Sequence, residues 1–163
     1  LYEEVIRVPL MFRVPGLDPR RIGQTISVAD VMPTLLELTG TGAGARLRDR
    51  SFADLLPGGT LDSAPVLSEL RPFNGHECDA IVDGRWKLID DITREKVRLF
   101  DLDADPGELR DVSAAHAERT AAMLSELERL REQLRGERRF GVRSIELSPA
   151  ERSNLQDLGY VGD

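Results

Sequence analysis

The sequence predicts an α/β chain whose second part is α+β: a small antiparallel sheet of about four strands, packed by a long C-terminal helix. Three observations lead there. Between residues 64 and 100, short apolar runs follow one another with only tight-turn residues between them, the pattern of an antiparallel meander. An apolar stripe at spacings of three and four then runs through residues 114–135. Ahead of residue 64 the period is different, with a nearly continuous apolar run over 2–14 and a helical pattern over 31–39. The expected organisation is therefore 1–63 as the end of an α/β core and 64–163 as a C-terminal subdomain. Within the subdomain, a long helix is expected over 114–135 and a short final helix over 149–158.

Taken in order, residues 2–14 carry Val5, Ile6, Val8, Leu10, Met11, Phe12 and Val14, which predicts a strand buried on both faces. Pro9 suggests that the strand lies at an edge or begins just after it, and Pro15-Gly16 ends it. Asp30 is the expected N-cap of a helix with Val31, Leu35 and Leu38 on one face, Pro33 in its first turn and Gly40 as its stop. Residues 41–50 are rich in Gly, Ala and Arg and read as a loose segment. Ser51 is placed to cap a helical turn over 52–56 that Pro57-Gly58-Gly59 halts.

Residues 64–70 predict a strand. The polar stretch 69–79 reads as a loop carrying Arg71, Asn74, His76 and Glu77, and it holds the candidate binding residues Arg71, Asn74 and His76. A guanidinium binds a sulfate or phosphate ester through a two-pronged fork, and an imidazole can also donate to one. A surface hairpin with an incidental histidine is the plainer alternative. Asp83-Gly84 marks a hairpin between apolar runs containing Ile81 and then Trp86, Leu88 and Ile89. Residues 97–108 continue with a strand and a turn in which Gly107 is available for positive φ and Asp101, Asp103, Asp105 and Glu108 crowd together. Solvated acids are the plain reading of that crowd, and oxygen ligation of a hard cation is the other.

The helix stripe Thr120, Met123, Leu127, Leu130, Leu134 predicts a cover for a sheet, with a dimer seam as the other use of such a face. Its outer face offers Glu126–Arg129, Glu128–Arg131 and Glu132–Arg135 as i,i+3 pairs, and Gly136 is the expected stop. Ser148, Pro149 and Glu151 match a capping box for the final helix.

Hydrophobic residues make up 40% of the 163 and charged residues 31%, enough apolar content to bury a real core. A net charge of −7 argues against nucleic-acid binding, which needs a basic footprint. No apolar run approaches the ~20 residues of a membrane-spanning helix. The lone Cys78 forms no internal disulfide and supplies no metal cluster. Leu1 in place of Met suggests that the natural start lies upstream.

The motifs carry a family resemblance. L-F-D-L-D-A-D-P-G-E-L-R-D-V at 99–112 resembles the "L-Y-D-L-x-x-D-P-x-E-x-x-N-L" signature near the C-terminus of sulfatases, in the alkaline phosphatase superfamily. Y-E-E-V-I-R-V-P-L at 2–10 resembles "Y-E-x-G-x-R-V-P", and V-A-D-V-M-P-T-L-L-E-L-T-G at 28–40 resembles "v-D-l-a-P-T-l-L-d-l-a-G". G-R-W-K-L-I at 84–89 and L-Q-D-L-G-Y-V at 155–161 complete the set, in the family's order and over nearly the whole chain.

The resemblance implies that 1–63 ends the sulfatase-like core and that the chain is the C-terminal portion of a hydrolase. The parent would cleave sulfate esters with a formylglycine nucleophile and a divalent cation, usually Ca²⁺. It also implies that those elements belong to the remainder of the parent catalytic domain. No residue here matches them, so no catalytic and no metal-binding residue is assigned, and the chain alone is expected to be inactive. Ser63-Ala64-Pro65-Val66-Leu67 imitates the Ser-x-Pro-x-Arg nucleophile motif but lacks its Arg, and Cys78 is followed by Asp79-Ala80-Ile81. The implied partners are the rest of that domain and, through it, a sulfate-ester substrate touched from Arg71, Asn74 and His76. A related phosphonate or phosphate ester hydrolase is the second reading, because fold alone does not fix the ester. A non-catalytic module that binds partners through the helix stripe is the third.

Overall fold

The alternating runs fold as a four-stranded antiparallel sheet in a computed structural model that describes residues 1–41, 50–73, 75–137, 148 and 154. Strands β1 (Val66–Phe73), β2 (His76–Asp83), β3 (Trp86–Asp91) and β4 (Lys96–Asp101) pair in chain order. The linking turns are short. Gly84, with φ +58°, takes the left-handed conformation that lets β2 turn into β3.

Period-two alternation sorts the side chains onto two faces. Ile81 stands opposite Leu67 and Leu88, and Leu88 opposite Leu99, so one face is a continuous apolar row. Helix α3 (Ala117–Glu137) lies on that face, with Met123 and Leu127 packed on Ile81, Leu88 and Leu99. The stripe therefore covers a sheet, as expected. The opposite face presents Cys78, Ala80, Ile89 and Phe100, and it is covered by Leu1 and Tyr2. The chain divides into two compact units, Leu1–Arg131 and Glu132–Asp163, and the sheet, Leu1, Tyr2 and α3 as far as Arg131 lie in the first.

The segment 2–14 departs from expectation. Glu3–Ile6 forms one helical turn, α1, and none of the four strands pairs with the residues after it. Val5, Val8, Leu10 and Met11 are 69%, 57%, 44% and 89% exposed, whereas a strand buried on both faces needs neighbouring strands and layers. No strand in the described residues supplies that neighbour.

Helix α2 (Val31–Leu38) is where it was expected, but Asp30 is not its side-chain cap. The chain enters through a 3-10 turn, Val28–Asp30, where Ser27 caps the N–H of Ala29 and Asp30 accepts from the N–H of Ser27. Gly40 (φ +66°) and Thr41 close α2 by donating to the carbonyls of Glu37 and Leu36, which is the Schellman pattern. The face turned inward is Pro33 and Thr34, while Met32, Leu35 and Leu38 point out. Ser51 accepts from Ala53 N, as anticipated, at the start of a 3-10 turn Ala53–Leu55.

Three smaller differences concern turns. The left-handed residue after Pro106 is Glu108 (φ 52°), not Gly107. α3 begins at Ala117, after Ala115 and His116 donate to Val112 O. It passes through Gly136, since one glycine lowers helix propensity without removing a hydrogen bond. The expected loose segment 41–50 and the final helix 149–158 fall largely outside the described residues.

Candidate functional site

The polar stretch 69–79 is not a loop. β1 continues to Phe73, which pairs with His76, so the connection shrinks to residues 74 and 75. Arg71 lies within β1, where the register shifts between Leu70 and Phe73, and Asn74 falls outside the described residues. A strand can carry Pro72 here because β1 is an edge strand, and an edge position loses no ladder bond by lacking an N–H.

His76 opens β2 and is brought to three residues that the sequence reading did not select. Its Nδ1 lies 3.9 Å from Oδ1 of Asp91, the last residue of β3. Asp91 is 1% exposed and accepts from the backbone N–H and the guanidinium of Arg94, both at 3.1 Å. Arg98 on β4 reaches the same carboxylate at 3.6 Å. Burial alone would raise the Asp91 carboxyl, but the Arg94 hydrogen bonds and the His76 and Arg94 charges outweigh it and hold the group below the usual carboxylate range.

Arg98 also donates to the Tyr2 hydroxyl and stands over its ring at 5.5 Å. Its Nε is buried and makes no hydrogen bond among the described residues. The arrangement places two guanidiniums and an imidazole around one carboxylate at the hairpin end of the sheet. That is a cationic surplus with donor capacity to spare, suited to an anionic group. Asp91, Arg94 and Arg98 were missed because they meet His76 through strand register, to which local composition is blind.

Two acids of the 101–108 turn, Asp101 and Asp105, serve the turn itself. Asp101 accepts from the N–H groups of Asp103 and Ala104 and pairs with Arg85, and Asp105 accepts from Arg110 N at 2.7 Å. Among the described residues no group of three or more His, Cys, Asp or Glu is placed to hold a metal ion. No described residue is therefore assigned to the Ca²⁺ that the resemblance implies for the parent. Ser63 is exposed in the link before β1, and Cys78 is 3% exposed with its thiol pushed up by burial, which disfavours the thiolate. No helix among the described residues is long and apolar enough to cross a membrane.

Two further charged groups are enclosed by the sheet's coverings. On the α3 face, Arg131 binds Asp79 at 2.6 Å and Asp90 at 2.8 Å, in place of the expected pairing with Glu128. On the opposite face, Lys87 lies between Glu3 and Glu108.

Residues 1–135 match the family described as N-sulphoglucosamine sulphohydrolase, C-terminal. The chain is 27% identical over 135 residues to arylsulfatase K of Mus musculus, covering 76% of this chain and 24% of that protein. It is 33% identical over 115 residues to choline-sulfatase of Rhizobium meliloti (strain 1021), covering 69% and 22%. The fold is similar to that of a phosphonate monoester hydrolase from Silicibacter pomeroyi, with a TM-score of 0.61 at 24% identity over 74% of this chain and 28% of that one. The chain thus spans about a quarter of the length of the curated relatives it matches.

Proposed function

The chain belongs to the sulfatase family, as its C-terminal portion, and from that premise we propose that the protein containing it hydrolyses sulfate esters. One observation carries the reading: the family match runs through 135 of 163 residues and takes in α1, α2, the whole sheet and most of α3. The likeness to a phosphonate monoester hydrolase is one of fold at 24% identity and does not bear on the ester.

In this proposal residues 1–63 complete the catalytic core of the parent, and the sheet with α3 forms a wall beside its reaction centre. The formylglycine nucleophile and the divalent cation implied by the resemblance belong to the remainder of the parent. The chain's own contribution is recognition. His76, with Arg94 and Arg98 on the same carboxylate, presents donors to an anionic group of the substrate.

The test is a panel of aryl sulfate, phosphate and phosphonate esters on the full-length protein. The sulfate ester should have the highest kcat/KM, and preference for a phosphonate or phosphate overturns the reading. His76→Ala should raise KM for the sulfate ester with little change in kcat, by about tenfold if one charge-assisted hydrogen bond of ~1.5 kcal/mol is lost. An unchanged KM removes His76 from the substrate edge.

A further inference from the structure

Lys87 has no exposed surface, although it sits in β3 among apolar neighbours, paired across the strands with Val82 and Phe100. An isolated ammonium at such a depth is strongly disfavoured, so what surrounds it matters. Its Nζ lies 2.7 Å from Oε1 of Glu108 and 3.0 Å from Oε1 of Glu3. Glu108 closes the set by accepting the backbone N–H of Glu3 on its other oxygen, at 2.5 Å. Three residues separated by 84 and 105 positions along the chain therefore meet at one point.

Two features argue that this meeting does more than add stability. Buried ion clusters are a poor route to stability, because desolvation offsets their Coulomb attraction and an apolar residue of similar size often does as well. The sheet face already has an apolar cover in Leu1 and Tyr2 over Cys78, Ala80, Ile89 and Phe100. Apolar contact alone accepts many placements of that cover, since it has no direction. Lys87 and Glu108 together accept a placement that brings the Glu3 carboxylate to Nζ and the Glu3 N–H to Oε2 of Glu108. The second feature is the backbone of Glu108, a non-glycine residue held at φ 52° beside a glycine that does not adopt a positive φ. Strain of that kind persists where the surroundings demand it, and here the demand is the delivery of a carboxylate to Lys87.

We propose that Glu3, Lys87 and Glu108 form a positioning latch that seats residues 1–7 on the sheet in one placement and so sets the direction in which the chain leaves it at Val8. Glu3 is the moving half, and Lys87 with Glu108 is the fixed half, built into β3 and the turn after β4. The proposal does not depend on which ester the parent cleaves.

Hydrogen exchange on the full-length protein tests it, because Val5, Ile6 and Arg7 carry amides bonded within the seated turn, to Tyr2 O and Glu3 O. Glu3→Gln leaves the Lys87–Glu108 pair whole and is the variant least able to unfold the sheet. Exchange of the peptide covering residues 1–11 should rise tenfold or more, while peptides of β2, β3 and α3 change less than twofold. In a Lys87→Met/Glu108→Gln background the same Glu3→Gln change should add nothing. An unchanged 1–11 peptide, a parallel rise in the sheet, or an equal Glu3→Gln effect in both backgrounds would each overturn the latch.

Discussion

Thr34 has no exposed surface, and its single hydroxyl joins two elements: it donates to Asp30 O at 2.7 Å and accepts from Phe52 N at 3.0 Å. Thr34→Val keeps the shape and loses both bonds, leaving the Phe52 N–H buried without its acceptor. A loss of about 1–3 kcal/mol in chemical denaturation is expected, and Thr34→Ser should recover most of it. Asp91 yields a pH signature. Its carboxyl is held below the ordinary range, so its contribution is present above the unfolded value near pH 4 and is lost as pH falls through the lower folded value. Denaturation between about pH 5 and pH 2 should show a steeper acid loss for the wild type than for Asp91→Asn. Equal slopes would mean that the Arg94 and His76 contacts do not favour the charged form. Neither residue was legible in the sequence: threonine and aspartate are ordinary surface types, and only their burial gives them these roles.

At the scale of elements, α3 was legible because its stripe repeats at helical spacing and the meander because its turns are short. Leu127 and Met123 carry the docking, so Leu127→Ala should cost about 2–5 kcal/mol by thermal or urea unfolding. The charged residues of α3 should separate into two kinds. Removing Arg131, whose partner Asp79 is fully buried, should cost about 3 kcal/mol because a buried charge loses its counter-ion. Removing Arg129, which pairs with Glu126 in the open, should fall within measurement error. The β1–β2 hairpin was misread as a loop for a definable reason. Pro72 and Gly75 are breakers in most contexts, and nothing local announces that a strand will lie at a sheet edge where Pro is tolerated.

For the whole molecule, the telling feature is a set of apolar side chains that stand exposed among the described residues. Val5, Val8, Met11, Val28 and Met32, all in the first 63 residues, are more than half exposed, as is Leu109 after β4. Faces of this kind mark interaction surfaces, and on the proposed function the remainder of the parent would cover them. The isolated 163-residue chain should therefore bind a hydrophobic dye and self-associate at concentrations where the full-length protein does neither. A monomeric, dye-silent isolated chain would show that these residues need no partner.

The sequence by itself determined the meander, the long helix and the family, because those depend on residues within about ten positions of each other and on motifs that keep their order. Tertiary structure alone decided which distant charges meet. The same register that aligns Cys78 with Asp91 gathers His76, Arg94 and Arg98 about one carboxylate, and the seating of α1 brings Glu3 to Lys87 and Glu108. A one-residue slip in strand register would send His76, Lys87, Asp91 and Arg98 to the opposite face without altering a single local pattern.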